Sequence, residues 1–472
     1  MIKRLILFIA ILSNSCLAAE LSLPAVFSDH MVLQRELSVP VWGKADPGAT
    51  ITIQFADQTK TVVAATNGKW RANLAPMPAS SESRELIVSS SIGNQKSTFN
   101  DVLVGEVWLC SGQSNMQMPM EGWSNSPCEN AEASIAAANY PQIRLFNTPL
   151  VPSATPLETV KAEWNICTSE TVKSFSATAY YFGRKLHQDL NVPVGLLLSA
   201  WGGTRIEPWT PPRGFKNVAS LQDIYQRTQN ALQLNEKGPQ QTPTALYNGM
   251  IAAHIPFAIR GAIWYQGEAN RTDGMLYVDK TRALVNGWRA LWGYNFPFYF
   301  VQIAPFHYKN EEPSVLPTFW EAQAAIEKNI PNTGMAVVSD YATTNNIHPP
   351  NKEIPGTRLA LLAEARNYNK KNVCSGPTFK ALEKTPGGLK VTFDSAEGLT
   401  TRDGKSPDWF EIAGADGVFK PAQAVIKDNG IIIRSPEVAE PVAMRFAWHK
   451  LAMPNLANGT GLPASAFRAT VK

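Results

Sequence analysis

The stretch that decides the fold of this 472-residue chain reads Val107-Trp108-Leu109-Cys110-Ser111-Gly112-Gln113-Ser114-Asn115-Met116. Its apolar first half is typical of a buried strand, and the Gly-x-Ser turn that follows can expose one serine. Ser114 is therefore a candidate nucleophile. A free serine hydroxyl is a poor nucleophile at neutral pH, so this hypothesis requires a base and an oxyanion site elsewhere in the chain.

The composition is that of an ordinary globular protein. Hydrophobic residues make up 44% of the chain, enough for a substantial core in two or three domains. The 43 basic and 39 acidic residues give a net charge of +4 without a long basic block. This balance argues against a nucleic-acid surface and against a polyanionic substrate.

The N-terminus predicts a secretory signal over residues 1–19, and therefore a secreted or periplasmic protein. Lys3 and Arg4 precede an apolar core, and small residues then lead to cleavage near Ala18 or Ala19. A lipoprotein anchored through Cys16 is the less favoured alternative, because Ser13 stands where a larger aliphatic residue is usual. No later stretch is long and apolar enough to span a bilayer.

Changes of hydrophobic period divide the mature chain into three parts. Residues 20–100 read as short alternating strands and predict an N-terminal β-sandwich domain. Residues 101–372 predict a three-layer α/β/α catalytic domain with a mainly parallel sheet, and residues 373–472 predict a further β-rich domain, although its Ile431–Ile433 run could join a sheet of the middle domain. The elements expected in the middle part are the strands Val102–Cys110, Val194–Ser199, Ile259–Tyr265, Phe298–Ala304 and Met335–Asp340 and the helices Ala177–Leu190 and Tyr277–Trp292.

Four cysteines remain after the leader is removed. In an oxidising compartment one disulfide is plausible, and the pairing we expect is Cys128 with Cys167. Cys110 lies in the predicted strand before Ser114 and reads as a buried apolar residue. None of the cysteine spacings suggests a zinc site.

The serine turn needs support from other segments. Met116 stands where the α/β-hydrolase elbow would have its second glycine, so the turn departs from that motif. A second Gly-x-Ser-Asn string contains Ser124, but no apolar strand precedes it. Ser124 therefore reads as a loop residue.

Among six histidines, His348 is the candidate general base. It follows the last predicted strand of the middle domain after a loop, and Pro349 restricts it to extended backbone. A histidine on a stiff loop at the carboxyl edge of the sheet suits this role. The alternative is a loop histidine bonded to the backbone.

Two further strand ends could supply oxyanion donors. Trp201-Gly202-Gly203-Thr204-Arg205 ends one strand in paired glycines, and Trp264-Tyr265-Gln266-Gly267-Glu268-Ala269-Asn270 ends another with side-chain amides. Alternatively, the glycines and amides of both strings have a purely structural role, in tight turns and in capping.

Together these segments resemble a known family. Gly112-Gln113-Ser114-Asn115, Trp201-Gly202-Gly203-Thr204, Trp264 to Asn270 and Ile347-His348-Pro349-Pro350-Asn351-Lys352 appear in the order seen in the sialate O-acetylesterase family of SGNH hydrolases. Phe27 to Arg35 near the start and Gly461 to Ala464 near the end are also similar to this family. The resemblance therefore covers almost the whole mature chain.

The resemblance implies roles for individual residues. Ser114 would be the nucleophile and His348 the general base, and the oxyanion donors would be the Ser114 amide, the Gly203 amide and the Asn270 side chain. No metal or organic cofactor is implied. SGNH enzymes often carry Asp three residues before the histidine, where this chain has Asn345. Either Asp340 reaches back to His348, or a backbone carbonyl near Asn345 orients the ring of a Ser-His dyad, which we favour slightly.

The expected reaction is removal of O-acetyl groups from sugars through an acetyl-serine intermediate, with 9-O-acetylated sialic acids the first substrate and xylan or another plant glycan the alternative. Arg205 could pair with a sialate carboxylate, or with Glu207 or Glu268 instead. A non-catalytic carbohydrate-binding protein on a hydrolase scaffold is a remote alternative. The residues expected to contact or stack on the sugar are Gln113, Trp201, Arg205, Gln266 and Glu268, together with Trp123, Trp209 and Trp264.

Overall fold

A computed structural model describes residues 20–229, 232–428 and 430–471. The predicted secretory leader, with Cys16, lies outside these residues. Within them, no helix is long and apolar enough to cross a membrane.

The N-terminal part is built from short strands, as the alternating pattern predicted. In one of them Ile51, Ile53 and Phe55 are buried while the residues between them face outward. β2 and β5 pair with each other, and the other four join a sheet with the strand that follows. The strands are β1 (Val32–Gln34), β2 (Val39–Lys44), β3 (Thr50–Phe55), β4 (Gln58–Val63), β5 (Lys69–Leu74) and β6 (Ser80–Ser90).

One long strand, β7 (Lys96–Gly112), connects the N-terminal part to the middle of the chain. Its first half pairs antiparallel with β6 and parallel with β1, and its second half lies in the central sheet. The boundary expected at residues 100–101 therefore falls inside a continuous strand. Through β7, the strands β1 and β6 of the N-terminal part belong to the same sheet as the central strands.

The central sheet confirms the predicted α/β architecture. Its order is β13-β12-β11-β7-β10-β8-β9; every neighbouring pair is parallel except β8 with β9. Chain order reverses on either side of β7, and such a switch point is where open α/β sheets bind ligands. The strands are β8 (Tyr140–Asn147), β9 (Trp164–Cys167), β10 (Val194–Ala200), β11 (Gly261–Tyr265), β12 (Phe298–Val301) and β13 (Thr333–Ala336).

Helices cover both faces of this sheet. The α-helices are α1 (Ser114–Gln117), α2 (Ala131–Ala136), α3 (Ala177–Leu190), α4 (Pro212–Phe215), α5 (Gln222–Gln229), α6 (Leu276–Trp292), α7 (Val315–Asn329) and α8 (Glu353–Asn367). Shorter 3-10 turns span Glu207–Trp209, Ala219–Leu221, Pro239–Gln241, Ala252–His254, Glu268–Asp273 and Ser339–Tyr341, and a π turn spans Tyr247–Ile251. α3 and α8 pack on one face and α6 and α7 on the other. Along β7, Trp108 and Cys110 pack in the core on the α3 and α8 side, whereas Val107 and Leu109 pack in the core on the α6 and α7 side. This alternation is expected of a strand that is buried on both faces.

The C-terminal part is β-rich, as predicted. The Ile431–Ile433 run lies in β20, which pairs with β15 and β19 in a four-stranded sheet of this part rather than with the central sheet. The strands are β14 (Thr378–Thr385), β15 (Gly388–Asp394), β16 (Thr400–Thr401), β17 (Phe410–Ala413), β18 (Lys420–Pro421), β19 (Gln423–Lys427), β20 (Gly430–Arg434), β21 (Ala443–Phe446), β22 (Leu456–Ala457) and β23 (Phe467–Thr470).

The expected Cys128–Cys167 disulfide is not formed. All four described cysteines are free thiols. Cys167 lies in β9 opposite Tyr140, whereas Cys128 lies in a loop beside Lys352. Both thiols are buried in the core on the α3 side, so they pack as small apolar residues.

A buried carboxylate joins the N-terminal part to the central sheet. Glu106 on β7 is completely buried and bonds to Arg35, which follows β1, and to Arg260, which precedes β11, with Arg260 Nε at 2.8 Å. Gln34 adds a hydrogen bond of 3.1 Å to the same carboxylate. Two guanidinium groups from distant segments therefore share one buried anion.

Glu106→Ala should lower the free energy of unfolding by about 3–5 kcal/mol, because both arginines lose a buried partner. Urea denaturation followed by fluorescence measures this change. Glu170→Ala is the matched control: its exposed pair with Lys173 contributes about 0–1 kcal/mol. Equal losses in the two variants would contradict a special role for Glu106.

Candidate active site

Three strand ends lie level with one another at the carboxyl edge of the central sheet. Gly112 of β7 is in register with Ala200 of β10 and with Tyr265 of β11. Gln113, Trp201 and Gln266 of the three predicted motifs follow these positions directly. Register alone therefore brings the serine turn, the paired glycines and the Gln266–Asn270 segment together.

The serine turn depends on Gly112. Its φ is +141°, and a Cβ on it would lie 2.2 Å from the carbonyl oxygen of Tyr265, so no side chain fits. The Gln113 N–H donates to the same oxygen at 2.9 Å. The chain then turns into α1, whose first residue is Ser114, a half-buried residue as a nucleophile must be.

His348 lies on the loop between β13 and α8, as predicted. Asn115 Nδ2 donates to the backbone oxygen of Ile347 at 3.1 Å, which joins the residue after Ser114 to the residue before His348. Within the described chain, no hydrogen bond connects Ser114 to His348 directly. Catalytic hydrogen bonds often tighten only when substrate binds.

The described neighbours that contact the His348 ring are neutral side chains. Its Nδ1 lies 3.5 Å from Ser126 Oγ, and Ser126 Oγ lies 3.4 Å from Asn346 Oδ1, both near the long limit for a hydrogen bond. Asn346 Oδ1 also accepts the His348 backbone N–H at 2.9 Å. The indole of Trp123 packs edge-on against the imidazole, with ring centroids 5.1 Å apart.

Asp340 has a different partner. Its two carboxylate oxygens each accept a hydrogen bond of 2.6 Å from the Arg358 guanidinium, and both side chains are buried. No hydrogen bond links Asp340 to His348 in the part of the chain that the structure describes. The dyad alternative expected a backbone carbonyl near Asn345 to bond to the His348 ring. Among the described residues no such hydrogen bond is present, and the group nearest Nδ1 is instead the Ser126 hydroxyl.

Two of the three expected oxyanion donors are free. Neither the Ser114 N–H nor the Gly203 N–H has an acceptor within the described residues. Gly203 has φ +72° and open space around it. The neighbouring Gly202 contacts Ser114 closely, because a Cβ on it would lie 3.2 Å from Ser114 Cβ, and its N–H donates to Gln117 Oε1 at 2.7 Å.

The Asn270 side chain is occupied. Its Nδ2 donates to Glu207 Oε2 at 3.1 Å and to Asp273 Oδ2 at 2.6 Å, and its Oδ1 accepts from Ile206 N and Gln266 Nε2. The residue is completely buried. In this conformation Asn270 shapes the turn beneath the site and offers no free donor to an oxyanion.

The candidate substrate residues divide by burial. Gln266 is completely buried and bonds to Thr204, Asn270 and Tyr277. Gln113 is buried, and its Oε1 accepts the N–H groups of Gly267 and Ala269 at 3.4 Å each. The other buried members are Glu268, Trp209 and Trp264, and the half-buried ones are Trp201, Trp123 and Arg205.

Arg205 is held by carboxylates. Its Nη2 lies 2.8 Å from Asp273 Oδ1 and 3.2 Å from Glu207 Oε1, and its Nη1 donates to the backbone oxygen of Ala269 at 2.7 Å. The intramolecular ion pair with Glu207 that the sequence left open is therefore present, whereas Glu268 is not a partner.

A cavity of about 300 Å³ lies beside the serine turn. It reaches from α1 to the end of β10 and to the Trp123 indole that contacts His348. None of the described residues that line it carries a charge; the polar and aromatic ones are Gln117, Trp123, Asn147, Thr148 and Ser174. Because the described lining offers no charged side chain to pair with an ionic group, this cavity suits a neutral ligand.

The electrostatics of the site are set by burial and by a lysine. Desolvation, and then the nearby Lys352 charge, lower the pKa of His348 to about 4.

Four residues of the site were not predicted from the sequence: Lys352, Asn115, Asn346 and Ser126. Lys352 belongs to a motif that the sequence analysis quoted, but no role was expected for it. Asn115 and Asn346 stand next to residues that were identified; for Ser126 no sequence signal existed.

Comparison with known proteins gives consistent matches. The family model described as "carbohydrate esterase, sialic acid-specific acetylesterase" matches residues 104–353. A sialate O-acetylesterase of Mus musculus is 30% identical over 484 residues, covering 89% of this chain and 88% of that protein. The Homo sapiens sialate O-acetylesterase is 31% identical, covering 80% of this chain and 77% of its own.

Among solved structures, a carbohydrate acetylesterase from Xanthomonas citri is similar over nearly the whole chain. The TM-score is 0.86 at 35% sequence identity, and the match covers 96% of this chain and 100% of the other. The likeness therefore includes the β-rich parts at both ends as well as the central sheet.

Proposed function

The chain belongs to the sialic acid-specific acetylesterase family of carbohydrate esterases, and from this premise we propose that Ser114 and His348 hydrolyse sugar O-acetyl esters through an acetyl-serine intermediate. The observation that carries the proposal is the hydrogen bond from Asn115 to Ile347, which connects the nucleophile's turn to the base's loop. The predicted secretory leader belongs to the same proposal, because acetylated glycans are found outside the cytoplasm.

In the first half-reaction, Ser114 Oγ attacks the acetyl carbonyl carbon while His348 Nε2 takes the hydroxyl proton. The resulting oxyanion accepts hydrogen bonds from the free N–H groups of Ser114 and Gly203. The C–O bond to the sugar then breaks, and the sugar oxygen receives the proton from His348.

In the second half-reaction, water attacks the acetyl-serine carbonyl. His348 takes the proton of the water, the same two N–H groups hold the second oxyanion, and the Ser114 oxygen leaves with that proton. Acetate and free enzyme are the products. No redox change occurs, and the proton that His348 accepts in each half is returned in the same half.

For this role His348 must keep its proton on Nδ1. The Nδ1–H can donate to Ser126 Oγ, whose own hydroxyl can donate to Asn346 Oδ1. This relay selects the tautomer without a carboxylate. We therefore favour a Ser-His dyad oriented by Ser126 over a triad through Asp340.

Ser114→Ala should reduce acetate release from a simple acetyl ester by about 10³-fold or more, because the covalent route is lost. The same variant should no longer react with a fluorophosphonate probe. Ser124→Ala, in the second Gly-x-Ser-Asn string, is the matched control and should retain both properties. Near-full hydrolysis by Ser114→Ala would refute the nucleophile, and absence of labelling in the wild type would favour a binding protein.

Ser126→Ala should lower kcat about tenfold, which is about 1.4 kcal/mol of barrier, because the ring loses its orienting partner. Asp340→Ala should instead lower the free energy of unfolding by about 3–5 kcal/mol, because buried Arg358 loses its partner. Steady-state kinetics and urea denaturation of both variants separate the two roles. A large kcat loss in folded Asp340→Ala, with Ser126→Ala unaffected, would restore the triad.

Two substrate classes fit this reaction. The names of the family and of the curated relatives favour 9-O-acetylated sialic acids. The contacts of Arg205 support a neutral acetylated glycan, such as acetylated xylan, because this guanidinium is already paired with Asp273 and Glu207 and a sialate carboxylate would have to compete with them. We propose the neutral glycan as the better substrate.

Acetate release should show a kcat/KM at least about tenfold higher for acetylated xylo-oligosaccharides than for 9-O-acetyl sialic acid. The comparison is made at equal acetyl concentration, with 4-nitrophenyl acetate as a control for active enzyme. A preference for the sialate would contradict the argument from Arg205 and leave the serine mechanism intact.

A further inference from the structure

A buried lysine lies directly behind the nucleophile's turn. Lys352, at the start of α8, is 1% exposed, and its Nζ donates to Asn115 Oδ1 at 2.6 Å. In the described chain it has no ion pair within 4 Å. A buried ammonium without a carboxylate partner is costly, so its retention beside the site requires an explanation.

Asn115, the partner of Lys352, makes hydrogen bonds to three other segments of the chain. Its Nδ2 donates to Glu268 Oε1 at 2.6 Å and to the Ile347 backbone oxygen at 3.1 Å, and its own backbone oxygen accepts from Thr178 Oγ1 at 3.0 Å. Asn115, the residue after Ser114, is therefore bonded to the residue before His348, to the 3-10 turn that follows β11 and to helix α3. Lys352 closes the arrangement from α8.

Glu268 completes the chain of contacts on the other side. It is 4% exposed, and its second oxygen, Oε2, is buried without a partner in the described residues. The Arg271 guanidinium nearby is bonded to Glu311, at 3.0 Å from Nε. The ammonium and the carboxylate are thus separated by the Asn115 amide and do not form a direct salt bridge.

We propose that Lys352 is a positioning residue for the reaction: through its hydrogen bond to Asn115 it holds the serine turn against the histidine loop. The inference rests on the serine mechanism above. It assigns a function to a buried cation that the chemistry of the two half-reactions does not itself use.

The same lysine also affects the electrostatics of His348. Lys352 faces Glu268, the Cys128 thiol and the Tyr265 ring, the last 5.9 Å from its Nζ. Burial lowers the pKa of Lys352 to about 7 and raises the pKa values of Glu268 and Cys128. When His348 titrates near pH 4, Lys352 is therefore still charged and opposes the imidazolium.

Two substitutions separate the charge from the hydrogen bond. Lys352→Gln can still donate to Asn115 but lacks the charge, whereas Lys352→Met lacks both. Both should raise the midpoint of the acid limb of kcat/KM by about half a pH unit or more, because His348 becomes easier to protonate. Only Lys352→Met should also lower kcat, by about tenfold or more, because the serine turn loses its support.

The His348 midpoint is measured directly by NMR titration of the imidazole as well as from the kcat/KM profile. Lys185→Met, which removes a lysine paired with Asp189 and Glu364 on α3 and α8, is the control and should leave the midpoint unchanged. Neither substitution at Lys352 inserts a charge, so at least one folded variant is expected, and unfolding curves check this.

An unchanged NMR midpoint in folded Lys352→Gln or Lys352→Met would overturn the charge role. Equal kcat losses in the two variants would overturn the positioning role. If the wild-type kcat/KM profile does not follow the His348 titration, the proposed base is wrong. The effect of Lys352 on His348 is tested independently of that result, because NMR measures the His348 midpoint without reference to activity.

Discussion

The close approach of β7 and β11 at Gly112 is the constraint on which the rest of the site depends. The Tyr265 carbonyl occupies the space that a side chain would need, and it accepts the Gln113 N–H at 2.9 Å. On the other side, the Trp201 N–H donates to the Gly112 oxygen at 3.1 Å. The end of β7 is thus fixed to both neighbours. Any side chain at this position would force the strands apart and separate three segments that cooperate only because they are level.

That constraint relies on a strand fixed along its whole length. β7 is buried on both faces in its second half, and its first half belongs to the N-terminal sheet. Glu106 lies between the halves, where Arg35 and Arg260, neighbours in space but distant in sequence, both bind its carboxylate. The N-terminal strands therefore do more than flank the central sheet, because they continue it and limit how far the serine turn can shift.

Local patterns predicted the elements well and the contacts between them poorly. The helix expected at Ala177–Leu190 has those bounds, because Ser176 caps its first turn and Asn191 ends it in a left-handed conformation. The hydrogen bond between Asn115 and Lys352 joins residues 237 positions apart and leaves no local pattern. Ser126 comes within 3.5 Å of His348 Nδ1 although the two residues are 222 positions apart, and no pattern around it in the sequence indicates this contact. Asp340 attracted attention because the family pattern calls for an acid, yet Arg358 on α8 is a stronger partner for a buried anion than a neutral imidazole.

A cation behind the serine turn has opposite effects on the two charges of the transition state. It opposes the imidazolium, for which a carboxylate would compensate in a triad, and it favours the oxyanion that develops on the substrate, so the two effects oppose each other and loss of the charge alone should change kcat little. A base with a lowered pKa is weaker, but it is unprotonated over a wider range of pH. In the proposed mechanism the free N–H groups of Ser114 and Gly203 therefore meet the negative end of the charge pair, and the imidazole at its positive end contacts the neutral side chains of Ser126 and Trp123.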